Sequence, residues 1–156
     1  MSVTITIQGT SLEFPTSGES PNWAAAIVEF AQAVETALTT AAGPNDIAPQ
    51  SFTIDSFNPG TNVTISNLQF PNSLVRGAFI RYTVARTTNS TSAFEAGLIK
   101  TIFNGTSWEF DREAVGDGKI TFTIDSNGQV KFTTTTLAGT GHTGKITFAA
   151  TALQQV

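Results

Sequence analysis

A chain of 156 residues with a formal net charge of −4 and only 13% charged residues is long enough for one core that buries about two-thirds of its unfolded surface. It has no Cys, which excludes a disulfide framework, a thiolate nucleophile and a Cys-based zinc site. Its acidic balance argues against a nucleic-acid partner, which needs a basic stripe, and no apolar run nears the roughly 20 residues of a membrane span.

The first segment, Met1-Ser-Val-Thr-Ile-Thr-Ile7, has no basic stretch and alternates polar with apolar residues, so it reads as a half-buried strand and not a signal peptide. Gln8-Gly9-Thr10 turns it into a second short strand through Leu12 and Phe14, followed by a loop from Pro15 to Ser20. A helix is predicted next. Ser20 caps it and Pro21 fits its first position. Trp23, Ile27, Phe30, Val34, Ala37 with Leu38, and Ala41 make one apolar stripe, and Glu29, Gln32, Glu35 and Thr39 the other side. Gly43-Pro44 stops it. The stripe has coiled-coil spacing but spans under three heptads, so packing on the chain's own sheet is preferred to a helix–helix contact.

Residues 45–49 read as a connector. Phe52–Ile54 and Val63–Ile65 are short strands around the Asn58-Pro-Gly-Thr61 turn. From Val75 onward the pattern is nearly pure β. Ile80, Tyr82 and Val84 alternate with Arg81, Thr83 and Ala85, and Phe94, Ala96, Leu98, Lys100 and Ile102 share one face of the next strand. Asn104-Gly105 is a strong hairpin signal and returns through Trp108 and Phe110. Ile120, Phe122 and Ile124, then Val130, Phe132 and Thr134, flank an Asp125-Ser-Asn-Gly128 turn, and Ile146, Phe148 and Ala150 close the series. Such a series predicts a mainly β fold: an antiparallel β-sandwich, jelly-roll-like, with one N-terminal amphipathic α-helix packed on it. It is expected to be a single domain over 1–156, in which residues 1–50 cover a sandwich made by 51–156.

Charge is placed unevenly. No Lys or Arg precedes Arg76, while acidic residues run along the whole chain. That asymmetry suggests an acidic part facing a basic one, within or between subunits. Arg76, Arg81, Arg86 and Lys100 are the candidate assembly contacts on the basic side, with Glu29 and Glu35 on the acidic side; Arg suits interfaces for its planar, multi-donor head. Phe57 and Phe103 are expected among the apolar residues that copies would cover.

Chemical motifs are weak. Gly139-Thr-Gly-His-Thr-Gly144 matches G-x-G-x-x-G, but a β-patterned segment follows where a dinucleotide site needs a helix, so a hairpin loop is the better reading. His142, the only His, reads as an exposed loop residue, since no nucleophile elbow accompanies it and one His cannot make a His-rich zinc site. Asp111, Glu113 and Asp117 near Trp108 could suggest glycoside hydrolysis; solvated acids near a turn are the simpler explanation. Asp125–Gly128 lacks the later ligands of a calcium loop and reads as a turn. Asn62, Asn89 and Asn104 begin glycosylation sequons that an abundance of Thr makes common by chance. Trp108 and Tyr82 are a candidate glycan platform. No cofactor, metal or catalytic residue is expected.

Several segments taken together carry a resemblance over most of the length. They are Glu19-Ser-Pro-Asn-Trp23 with Phe30-Ala-Gln-Ala-Val34, Arg76-Gly-Ala-Phe-Ile-Arg-Tyr82 with Arg86-Thr-Thr88, and Gly141-His-Thr-Gly144 with Ile146-Thr-Phe148. The chain resembles small virion structural proteins of tailed bacteriophages. The resemblance implies a β-sandwich subunit without enzymatic activity, located in the virion, in a symmetric complex on capsid or tail; it carries over no binding residues. The expected partners are copies of itself, as a homo-oligomer and most simply a trimer, and other virion proteins, with no nucleic acid and no membrane. Capsid decoration is the first expectation and a tail, tail-tube or fibre component the second. The competing class is a carbohydrate-binding module for a host surface glycan.

Overall fold

The structure, a computed structural model of the chain, describes residues 2–7, 10–15, 27–32, 34 and 43–155. They belong to two compact units that divide between Gly43 and Pro44. In the first, β1 (Ser2–Ile7) and β2 (Thr10–Pro15) pair antiparallel, with Val3 opposite Phe14 and Ile5 opposite Leu12. Residues 27–32 are helical, inside the predicted helix, and Ile27, Val28, Glu29 and Phe30 are exposed there. The predicted cap and stripe residues Ser20, Pro21, Trp23, Ala37, Leu38 and Ala41, and the candidate contact Glu35, lie outside the described residues.

The second unit is the sandwich. Its strands are β3 (Ile47–Thr53), β4 (Gly60–Gln69), β5 (Val75–Thr87), β6 (Ser92–Phe103), β7 (Trp108–Gly116), β8 (Ile120–Ile124), β9 (Gln129–Thr134) and β10 (Thr143–Gln154). One sheet has the order β3-β10-β5-β6-β7 and the other β4-β9-β8, with every pairing antiparallel. Within the larger sheet β5, β6 and β7 follow one another and β10 returns to lie beside β5, which is Greek-key order. The long return passes through the smaller sheet, so the two sheets are covalently interleaved.

The strands follow from period-two patterning. In β5 the even-numbered residues Ala78, Ile80, Tyr82, Val84 and Arg86 are buried, and Phe79, Arg81, Thr83 and Ala85 are exposed. Ile146, Phe148, Ala150 and Ala152 of β10 and Ile99 and Phe103 of β6 join that inner face, which packs on Ile65, Leu68, Ile120, Phe122, Val130 and Phe132 of the smaller sheet. Rings interlock across the gap: Tyr82 meets Phe122 edge-on at 4.8 Å, and Phe52 meets Phe132 edge-on at 5.9 Å. Each such buried side chain is worth about 1.5–3 kcal/mol of transfer free energy. Phe57 packs against this core and Phe103 is a member of it, so neither is the exposed residue the sequence suggested.

Turns are placed where their residues demand. The Asn104–Ser107 turn has Gly105 at φ 101°, and Asp125–Gly128 closes with the Gly128 N–H donating to the Asp125 carbonyl at 3.0 Å and Gly128 at φ 76°. The segment 45–49, read as a connector, instead enters the sheet at Ile47. Pro49 is tolerated because β3 is an edge strand. Strand β4 is longer and less regular than its central Val63–Ile65 pattern suggests. Asn62 and Asn67 take positive φ there, and its pairing to β9 shifts register twice.

Candidate functional site

The outer face of the larger sheet is the most distinctive surface. Cross-strand register sets its side chains in rows. Ala149, Arg81, Leu98 and Glu113 lie side by side across β10, β5, β6 and β7; the next row is Thr151, Phe79, Lys100 and Asp111, and the next Leu153, Gly77, Ile102 and Glu109. Phe94 is 57% exposed, Ile102 51% and Leu153 50%. With no side chain at Gly77, Leu153, Phe79 and Ile102 border a trough of about 480 Å³ that Arg76, Lys100 and Asp111 also line. A Cβ at Gly77 would stand 2.7 Å from the Thr101 carbonyl oxygen, so the gap also permits close strand approach.

Charge on this face is sorted by strand. Arg81 on β5 is exposed and makes no ion pair among the described residues, while Glu109, Asp111 and Glu113 line β7. Lys100 of β6 bonds Glu113, and that carboxylate holds the Lys100 ammonium above the ordinary lysine range. Arg76 donates to the Phe103 carbonyl at 3.1 Å.

Arg86 belongs to the opposite face. It is 0% exposed and fans its guanidinium over four chain segments. It donates to the carbonyls of Lys119 (2.8 Å), Thr135 (2.9 Å) and Gly118 (3.3 Å), to Asn58 Oδ1 (2.9 Å) and to His142 Nε2 (3.3 Å). Burial pushes its pKa below the usual arginine range. Arg86 is therefore a tie inside the sandwich and not an assembly contact. His142 is half-buried by the same tie, with Nδ1 at 2.9 Å from the Asp55 carbonyl. Because Nε2 accepts from Arg86, Nδ1 carries the proton donated to Asp55. The exposed loop His expected from sequence is thus a bridging residue.

Tyr82 and Trp108 are 4% and 7% exposed, which removes them as a glycan platform. The Tyr82 hydroxyl donates to Glu95 Oε1 at 2.5 Å, the Gly118 N–H donates to Glu95 Oε2 at 3.1 Å, and Arg112 Nη1 stands 3.5 Å from Oε1. Burial first, then the Glu95 carboxylate, pushes the Tyr82 phenol far above its ordinary pKa. The ring lies over Gly97, where a Cβ would fall 2.6 Å from its hydroxyl oxygen. Trp108 packs on Phe70 and Phe103 and donates from Nε1 to Asn72 Oδ1 at 2.7 Å. The sequence did not single out Glu95 or Arg112. Their signal is parity: both share the inner face with Ile99.

The remaining motifs are local structure. Asp111 and Glu113 stand on the outer face, away from the inward Trp108. The glycine-rich loop is clasped to the 88–91 turn, with the Thr140 N–H on Asn89 Oδ1 at 2.8 Å and the Thr88 hydroxyl on the Ala138 carbonyl at 2.6 Å, and it leads into β10. Among the described residues no group of three or more His, Cys, Asp or Glu side chains is placed to hold a metal ion.

No protein-family model matches the sequence, and no curated protein does. Among solved structures, the chain is similar to the Acinetobacter phage vB_ApiP_P1 tailspike protein at 13% identity and a TM-score of 0.48, covering 67% of this chain and 22% of that one. The chain thus spans about a fifth of that protein's length.

Proposed function

We propose that this chain is a non-enzymatic structural subunit of a bacteriophage virion, working by binding copies of itself and neighbouring virion proteins. The observation that carries the assembly reading is the outer sheet face, where Phe79, Phe94, Leu98, Ile102 and Leu153 share a surface bordered by unlike charges. Clustered apolar side chains in contact with water mark interaction surfaces. The virion part rests on the sequence resemblance, with capsid decoration the first choice and a tail, tail-tube or fibre position the second. With Trp108 and Tyr82 in the core, no observation favours the carbohydrate-binding module.

Light scattering of the purified chain, with cryo-electron microscopy of the phage particle that carries its gene, tests this reading. A mass above the monomer and density for the chain on capsid or tail are expected. A strict monomer at all concentrations, absent from the particle, would overturn it.

A further inference from the structure

We infer that two copies of this chain meet through the outer faces of their five-stranded sheets, about a two-fold axis that runs along β6. The inference rests on the assembly reading above and adds the surface, the partner and the symmetry. The axis is two-fold in place of the three-fold expected from sequence.

Charge placement selects the axis. In the central row Arg81 of β5 and Glu113 of β7 flank Leu98 of β6 on equal footing, one strand to either side. A two-fold axis along β6, lying above the face, exchanges the β5 side with the β7 side and keeps each row at its own height. Arg81 of each copy then faces Glu113 of the other, twice over, and Leu98 meets its own counterpart. Ile102 and Phe94 do the same toward the two ends. A two-fold axis across the strands would instead lay β7 on β7 and set Glu109, Asp111 and Glu113 against like charges, which is costly. An isologous contact needs a self-complementary patch, and the first arrangement supplies one.

By the same symmetry Lys100 stands opposite its own counterpart and Asp111 opposite Phe79. The Lys100 ammonium is tied to Glu113 of its own chain, which offsets the like charge at the axis and joins Glu113 to a Lys100–Glu113–Arg81 network across the interface. Aligned sheets cross at about −30° some 10 Å apart, so opposition is closest in the Leu98 row and fans out toward the ends. Extent is adequate as well. Four strands spaced about 4.8 Å, with eleven paired residues along β5 and β6 rising about 3.3 Å each, give a face of roughly 700 Å². Stable interfaces use about 800 Å² a side.

The natural absence of Cys makes the test clean. Leu98→Cys, treated with a short bis-maleimide, should give covalent dimers at concentrations where the unmodified protein associates. Thr121→Cys, exposed on the smaller sheet between buried Ile120 and Phe122, should not. Arg81→Glu and Glu113→Arg should each lower the cross-linked yield about tenfold or more, and the double exchange should restore it. If light scattering shows association while Leu98→Cys stays uncrosslinked and the charge variants associate normally, copies meet elsewhere, for example along the β7 edge, and the inference fails alone. If the thiol of Leu98→Cys resists a monofunctional maleimide even in dilute monomer, the face is covered within the chain and the inference fails. If the protein never associates and is absent from particles, the assembly reading fails with it.

Discussion

Strands β5 and β6 are neighbours of similar length, yet their apolar residues look in opposite directions. In β5 the apolar parity is the core parity: Ile80, Tyr82 and Val84 point inward while Arg81 and Thr83 meet solvent. In β6 the parity richest in large apolar residues, Phe94, Leu98 and Ile102, is the outer one, and the inner parity carries Glu95 and Thr101 beside Ile99 and Phe103. The sheet thus has a sealed face that tolerates polar groups because each is partnered, and an open face that keeps apolar groups in water. The first condition is required by stability, since an unpartnered buried polar group costs about 1–3 kcal/mol. Nothing in the isolated sandwich requires the second, and that is why it points to assembly.

Breaking the inner face should have the largest effect. Arg86→Met leaves the Thr135 and Gly118 carbonyls without their donor and takes one of two donors from the Lys119 carbonyl and Asn58 Oδ1, which keep the Thr135 and Leu137 N–H groups, and chemical denaturation should show a loss of about 3 kcal/mol or more. A loss below about 1 kcal/mol would mean that water replaces the guanidinium and that the tie is dispensable. Gly97→Ala comes next. Its Cβ collides with the Tyr82 ring on one side and the Glu113 carbonyl, at 2.6 Å, on the other, so about 1–3 kcal/mol should be lost to overpacking. Tyr82→Phe in the Gly97→Ala background should relieve little, because the backbone collision remains.

Charge on the smaller sheet should matter less and only in acid. Burial alone would raise the Asp125 carboxyl, but Lys131 at 2.9 Å and the N–H groups of Gln129 and Asn127 outweigh it and hold the pKa below the ordinary carboxylate value. A folded pKa below the unfolded one stabilises the protein above the unfolded value, and the contribution is lost as pH falls through the folded one. Melting curves between neutral pH and about pH 3 should therefore fall more steeply for the natural protein than for Asp125→Asn. Equal slopes would place the acid sensitivity elsewhere. Smallest of all is the expected effect of outer-face changes on stability: Ile102→Asp should shift the free energy of unfolding by no more than about 0.5 kcal/mol.

The two faces also mark what the sequence disclosed. Alternation in β5 and β10, the Asn104-Gly105 hairpin and the Asp125–Gly128 turn are local signals and were legible. The burial of Arg86 was legible too, since it continues the 80-82-84 parity, but its charge drew it toward a surface role. Tyr82 invites the same error, for its parity outranks its aromatic ring. The orientation of β6 was not legible from β6 alone. It depends on pairing with β5, where Tyr82 needs the empty site at Gly97 opposite it, and pairing is a non-local property. The candidate interface was half visible, in Arg81 and Lys100. Its acidic side on β7 was missed because acidic partners were sought in the N-terminal half.

The most direct measurement is the light-scattering mass of Ile102→Asp beside the natural protein across a concentration series, with matched melting temperatures confirming that both are folded. A natural protein that exceeds the monomer mass and a variant that stays monomeric are predicted by an interface on the outer sheet face. A folded variant that associates as strongly as the natural protein would contradict it.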